Sequence, residues 1–328
     1  MVLEDIPTLQ GAHKHPVSLF FIAFIVTSAC MIVAFQTFPD NTSVLTLAFV
    51  AVAFMPIMHA LFIQEEQKEV DEDDMPFAFI ATHFEVIHIY GWIFVGLIAT
   101  YAFWYAVLPA TSEGCSGISC VLPSKDTLFR EQNKVYTGIT GKAAGQLTAN
   151  AVGSTECFDE KTKSFEGCFQ LIFNNNMWVM VLAIIFSFVW GAGALFLLGW
   201  NASVIGLFIG SEILSKSLEA GVIRAIGYLP HGLPEIMAYF VASIAGGMIS
   251  ATISKRKFAH HELRIVAIDS VLLLLLATIT LVIGAFIETA TIFNYWEAAL
   301  GGIVAFMALY TVLYVPSVRY RVNRLREA

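Results

Sequence analysis

Charge is what this chain has least of. Its 328 residues include 18 Lys and Arg and 26 Asp and Glu, 13% in all, where soluble domains carry roughly 25%. Hydrophobic residues make up 57% and mean hydropathy is +0.73, which excludes an ordinary soluble domain. The sequence contains no HExxH helix, no Ser, His and Asp in hydrolase order and no phosphate-binding glycine loop, so the enzyme classes known by those motifs are excluded. The formal charge of −8 comes largely from two polar segments and points to no nucleic-acid partner. Cysteines number five, and their spacing lacks the paired CxxC knuckles of a zinc fold. The first apolar run, Val17 to Phe38, is long and has no small-x-small cleavage site, so it reads as an uncleaved signal anchor.

What is present are apolar runs of about 20 residues, each long enough to span a bilayer. Seven candidate spans cover 17–38, 43–63, 86–108, 177–200, 233–253, 267–287 and 295–315. The fold class expected is therefore all-α, a polytopic transmembrane bundle of about seven to eight crossings, because only helices or closed barrels satisfy their backbone in lipid. Basic loops face the cytoplasm. Lys255, Arg256, Lys257 and Arg264 mark one such loop, and Arg319, Arg321, Arg324 and Arg326 mark the tail; Lys14 places the N-terminus on the same side. Both ends inside require an even number of crossings, so another crossing is expected between Trp200 and His231. Asn201 to Tyr228 admits two readings. One is a short helix with the small pair Gly206 and Gly210, followed by an amphipathic interfacial helix. The other is a broken or re-entrant crossing in which Glu212 and Lys216, at i and i+4, neutralise each other.

The expected organisation is an N-terminal two-span extension with an acidic cytoplasmic linker (1–81) and a membrane core (82–328). An extracytoplasmic insert at 109–176 interrupts the core. The insert holds Cys115, Cys120, Cys157 and Cys168, while Cys30 lies in the first span. Four clustered cysteines in an exported segment read as two disulfides, with Cys115–Cys120 and Cys157–Cys168 the preferred pairing and zinc the alternative. Short strands and turns are expected around them. The acidic run Gln64 to Met75 reads as a solvated linker, with a docking site for a basic partner or a loose cation trap as alternatives. Its Asp71, Asp73 and Asp74 do not fit the spaced ligands of an EF-hand.

Two polar clusters could carry chemistry. His83, Glu85 and His88 mark the third span: Glu85-x-x-His88 has the i, i+3 spacing of di-iron bundles, and Thr82-x-x-Glu85 equally reads as a capping box opening a helix. His231, Gly232, Pro234 and Glu235 mark the opening of the 233–253 span. Pro234 suits a first helical turn and Glu235 the positive end of the helix dipole, which leaves His231 and Gly232 unexplained. Ionisable groups beside lipid are costly and mark function, so this element, with Asn201, Glu212 and Lys216, forms the candidate polar site. The two clusters fall on opposite faces, His231 being about 30 Å from the cytoplasmic side by helix rise. No cofactor is expected, and a bound divalent metal stays open. Ala242, Gly246 and Ser250, with Gly247 alongside, form a small-residue stripe for close helix packing. Trp104, Trp178, Trp200 and Trp296 read as interfacial anchors.

The Asn174–Asn176 cluster, Gly191 and Gly193, Asn201 with Gly206, and then His231-Gly232-Leu233-Pro234-Glu235 opening a helix with Gly246 and Gly247 resemble the stage II sporulation protein M family. The resemblance runs over roughly residues 80–316. It implies a helical membrane core and, in spore formers, a complex that remodels the cell envelope during engulfment; it supplies no catalytic residues. Three functions follow as expectations: a membrane core for envelope remodelling or small-solute passage, a metal-dependent hydrolase using His231 and Glu235, and a receptor binding a ligand through the insert. Partners expected are the lipid bilayer and other membrane or envelope proteins, with a homo-oligomer open.

Overall fold

The computed structural model of the chain describes residues 17–71, 79–110, 122–140, 157, 163–190, 193–254 and 260–327. No strand occurs among them. The helices are α1 (Val17–Thr37), α2 (Thr42–Asp71), α3 (Phe79–Val107), α4 (Lys125–Leu128), α5 (Arg130–Thr140), α6 (Phe165–Trp190), α7 (Ala194–Ser215), α8 (Leu218–Ser254), α9 (His260–Ile292) and α10 (Trp296–Glu327). A 3-10 turn, Pro39–Asn41, joins α1 to α2. Among the described residues, eight helices are long and apolar enough to cross a membrane. That even number satisfies the parity the charge pattern demanded.

The extra crossing arises differently from either reading of Asn201–Tyr228. The expected span 177–200 is two helices, α6 and α7, meeting at Gly193. A Cβ on Gly193 would collide with the Phe186 carbonyl oxygen, so only glycine admits so close a return of the chain. Asn201 lies within the continuous α7, and a short turn at Lys216 and Ser217 leads into α8. The Asn174–Asn176 cluster is inside α6, which starts at Phe165, so the insert is shorter than 109–176.

Two helix starts also differ. The 37-residue α8 begins at Leu218 and carries Pro230 and Pro234 in its interior, so the expected first turn at Pro234 is a mid-helix position. Proline costs a soluble helix about 3 kcal/mol through its lost N–H and ring clash. In membrane helices neighbouring groups compensate for the freed carbonyls. Likewise α3 starts at Phe79, upstream of Thr82, so Thr82-x-x-Glu85 is an interior segment and not a cap. In place of the expected strands, the described part of the insert forms α4 and α5, with Ser124 accepting a hydrogen bond from the Thr127 N–H as N-cap.

The chain divides into two compact units. The first comprises Met1–Pro56, Ile89–Phe158 and Leu195–Leu229. Met31, Leu47, Tyr101, Leu108, Leu128, Phe129 and Leu207 form its buried apolar cluster. Small residues set the helix spacing: a Cβ on Gly96 would lie 2.7 Å from the Phe20 carbonyl oxygen, and one on Gly206 would lie 2.6 Å from Tyr101 Cβ. A Cβ on Gly210 would lie 2.8 Å from the Ala102 carbonyl oxygen, so the Gly206/Gly210 pair seats α7 on α3. The insert is fastened to this unit by Gln132 of α5. Ser43 donates to Gln132 Oε1 at 2.6 Å, and Gln132 Nε2 donates to Ser203 Oγ at 3.0 Å. All three side chains are buried, and this chain of bonds keeps each of them satisfied.

The second unit comprises Ile57–His88, Asp159–Ala194 and Pro230–Ala328. Here α9 packs against α6 and α10. The small-residue stripe of α8 is used as its spacing suggested: a Cβ on Gly246 would lie 2.7 Å from the Ile184 carbonyl oxygen, and one on Gly247 would lie 2.6 Å from the Phe62 ring. The Ser187 hydroxyl donates to the Ser243 carbonyl at 2.6 Å, bonding α6 to α8. Without a hydrophobic driving force between helices in lipid, such close contacts and interhelical bonds hold the bundle.

Candidate functional site

Polar residues recur every fourth position along α8: His231, Glu235, Tyr239 and Ser243. That spacing stacks them on one slowly drifting face of the helix. Each finds a neighbour within the second unit. Tyr239, 2% exposed, donates its hydroxyl to Asn176 Oδ1 at 2.9 Å. The same oxygen accepts from Asn175 Nδ2 at 3.3 Å, so the asparagine cluster of α6 supports the column. Ser243 turns its hydroxyl back to the Tyr239 carbonyl at 2.6 Å, within its own helix.

Glu235 meets α9. A Cβ on Gly284 would come within 2.9 Å of Glu235 Cγ and 3.3 Å of Pro234 Cβ. The glycine therefore makes room for the glutamate, while Pro234 itself is buried beside it. One turn further along α9, Glu288 comes within hydrogen-bonding reach of the Glu235 carboxyl. Glu235 Oε1 is buried and has no protein partner. Two carboxyls, a tyrosine and an asparagine thus come together from three helices, α6, α8 and α9, with His231 one turn before Glu235 on α8. Such a constellation can bind and exchange protons, or hold a small polar solute by hydrogen bonds.

The other residues singled out in the sequence lie apart from this column. A Cβ on Gly232 would meet nothing within 4 Å, so this glycine does not serve a close approach within the chain. Asn201 donates to the Leu197 carbonyl at 2.9 Å along α7. Glu212 and Lys216 do pair, at 2.8 Å, yet the Lys216 side chain is 65% exposed at the end of α7. Their neutralisation inside a bundle is thus corrected to an ion pair at a helix terminus. His83 Nδ1 lies 2.7 Å from Glu65 Oε2, both side chains fully buried. Glu65 is accordingly no part of a solvated linker. His88 stacks on Phe84 with ring centroids 6.1 Å apart, and the side chain of Glu85 lies outside the described residues. Among the described residues, no three His, Cys, Asp or Glu side chains are grouped to hold a metal ion. Cys157 and Cys168 are buried, whereas Cys115 and Cys120 fall outside the described residues.

Sequence reasoning missed Glu288, Tyr239 and Glu65. Tyr239 was legible, since it continues the four-residue spacing from His231. Glu288 falls just past the expected 267–287 span; only the packing of Glu235 on α9 reveals its neighbour.

Helices of this length and hydropathy, with a polar column buried among them, define a multi-pass α-helical membrane protein. The chain matches the family model of Stage II sporulation protein M over residues 17–291, and it belongs to that family. The matched range takes in both N-terminal spans and stops before α10. No curated protein and no solved structure matches the chain significantly.

Proposed function

We propose that the protein passes a small solute through the polar column of its second unit. The observation that carries this reading is Glu235: a carboxyl beside Gly284 and Glu288, with one oxygen buried and unpartnered. Ionisable groups inside membrane helices are expensive, and where they occur they mark substrate or ion pathways. A purely structural helix would gain nothing from His231, Glu235 and Glu288 at this level. Reconstituted liposomes test the reading. Efflux of a panel of small polar solutes should exceed that from protein-free liposomes for at least one member, and Glu235→Gln should abolish the excess. Equal efflux from liposomes with and without protein would refute it.

Family membership favours a second reading, a membrane core for envelope remodelling. The two differ in what the column does: a scaffold keeps its function when Glu235 and Glu288 are neutralised, and a conduit does not. A metal-dependent hydrolase would instead require stoichiometric zinc or iron lost in His231→Ala, which metal analysis of the purified protein measures.

In the proposed orientation the Lys255–Lys257 loop and both termini are cytoplasmic and the insert is extracytoplasmic. The burial of Cys157 and Cys168 suits an exported segment closed by disulfides, and mass mapping of non-reduced protein should find Cys30 as the sole free thiol.

A further inference from the structure

Glu235 and Glu288 are unusual in facing each other. A carboxylate offers only acceptors, so two of them form no hydrogen bond unless one holds a proton. Glu235 packs on α9 at Gly284, and Glu288 follows one turn along the same face of that helix, so the two carboxyls share a site in which ionising both is costly. The surroundings offer no easier solution. The titratable groups facing the pair are His231 and Tyr239, both on α8. From α6 comes the neutral Asn176, bonded to Tyr239. From α10, Gly302 packs on Ile287 next to Glu288 and carries no charge, while the Tyr310 hydroxyl meets Thr280 two turns back along α9.

We propose that Glu235 and Glu288 form a proton-binding site, holding one exchangeable proton between them inside the membrane bundle. Uptake forms one O–H bond on a carboxylate oxygen, and release returns the proton to water and leaves two carboxylates. Both residues are half-buried, while Oε1 of Glu235 is sealed in the protein. The site rests on the reading of this column as the conduit and deepens it: passage of the solute is linked to the proton.

Infrared spectroscopy of the full-length protein in lipid tests the site without any solute, so its failure is separable from failure of the conduit reading. At neutral pH the wild type should show a protonated carboxyl C=O band that shifts on exchange into D2O. The band should be altered in Glu235→Gln and in Glu288→Gln and lost in the double variant, with helix content by circular dichroism unchanged. A wild-type spectrum without an exchangeable acid band overturns the proposal, and needs no variant to fold. A band that persists unaltered in the double variant overturns it equally.

Discussion

Glu235 lies on a face of α8 where an alkyl side chain would pack against Gly284 at no electrostatic cost. Glu235→Gln keeps the shape and a donor that Glu288 can accept. We expect it to insert normally and to unfold within a few degrees of wild type, while function is lost. Tyr239→Phe makes a sharper stability probe. It removes the hydroxyl bonded to Asn176 and should cost about 1–3 kcal/mol, the price of a buried polar group left short of a partner. Thermal unfolding in detergent should register the loss. Gln132→Ala breaks two bonds at once, stranding the Ser43 hydroxyl while Ser203 keeps its bond to the Trp200 carbonyl, and should destabilise the first unit by a similar amount, about 1–3 kcal/mol. A midpoint unchanged in Gln132→Ala would mean the insert is not fastened through this residue.

Between elements, packing is governed by small residues. Gly246 admits the Ile184 carbonyl of α6, and a side chain there must push two backbones apart. Overpacking of this kind costs typically about 1–3 kcal/mol and occasionally more. Gly246→Val should therefore lower the unfolding midpoint, whereas Gly232→Ala, in open space, should leave it unchanged. The small-residue stripe was legible because spacing alone dictates it. Helix ends were harder to read. Hydropathy runs on through Gly191 and Gly193, so α6 and α7 merge into one apparent span whose boundary depends on a tertiary contact at Phe186. Pro234 and Thr82-x-x-Glu85 carry helix-start chemistry in water, yet both lie within helices here. The surrounding bundle, absent from any local motif, decides the matter. The acidic run misled for the same reason: Glu65 looks solvated beside Glu66 and Glu69 until α3 brings His83 against it.

At the scale of the whole molecule, the eight apolar helices among the described residues and the basic loops support the proposed orientation, with both termini cytoplasmic. Impermeant thiol reagents can establish it at two exposed positions, Ser254 at the end of α8 and Glu297 in the first turn of α10. Ser254→Cys should be protected in intact cells and Glu297→Cys should label. The reverse pattern would invert the arrangement and place the Glu235–Glu288 pair nearer the cytoplasm. The bundle, the even number of crossings and the placing of His231 and Glu235 on one polar face were readable from sequence, because hydropathy and misplaced charge are local properties. Glu288 was not, because its meaning comes from a helix partner more than fifty residues away.

The most direct measurement is complementation of a deletion strain by Glu235→Gln and Glu288→Gln, with membrane abundance matched to wild type. Both variants should insert, accumulate and fail to restore the phenotype. Full complementation by both at matched abundance would show that the polar column is dispensable and would contradict the assignment of function to it.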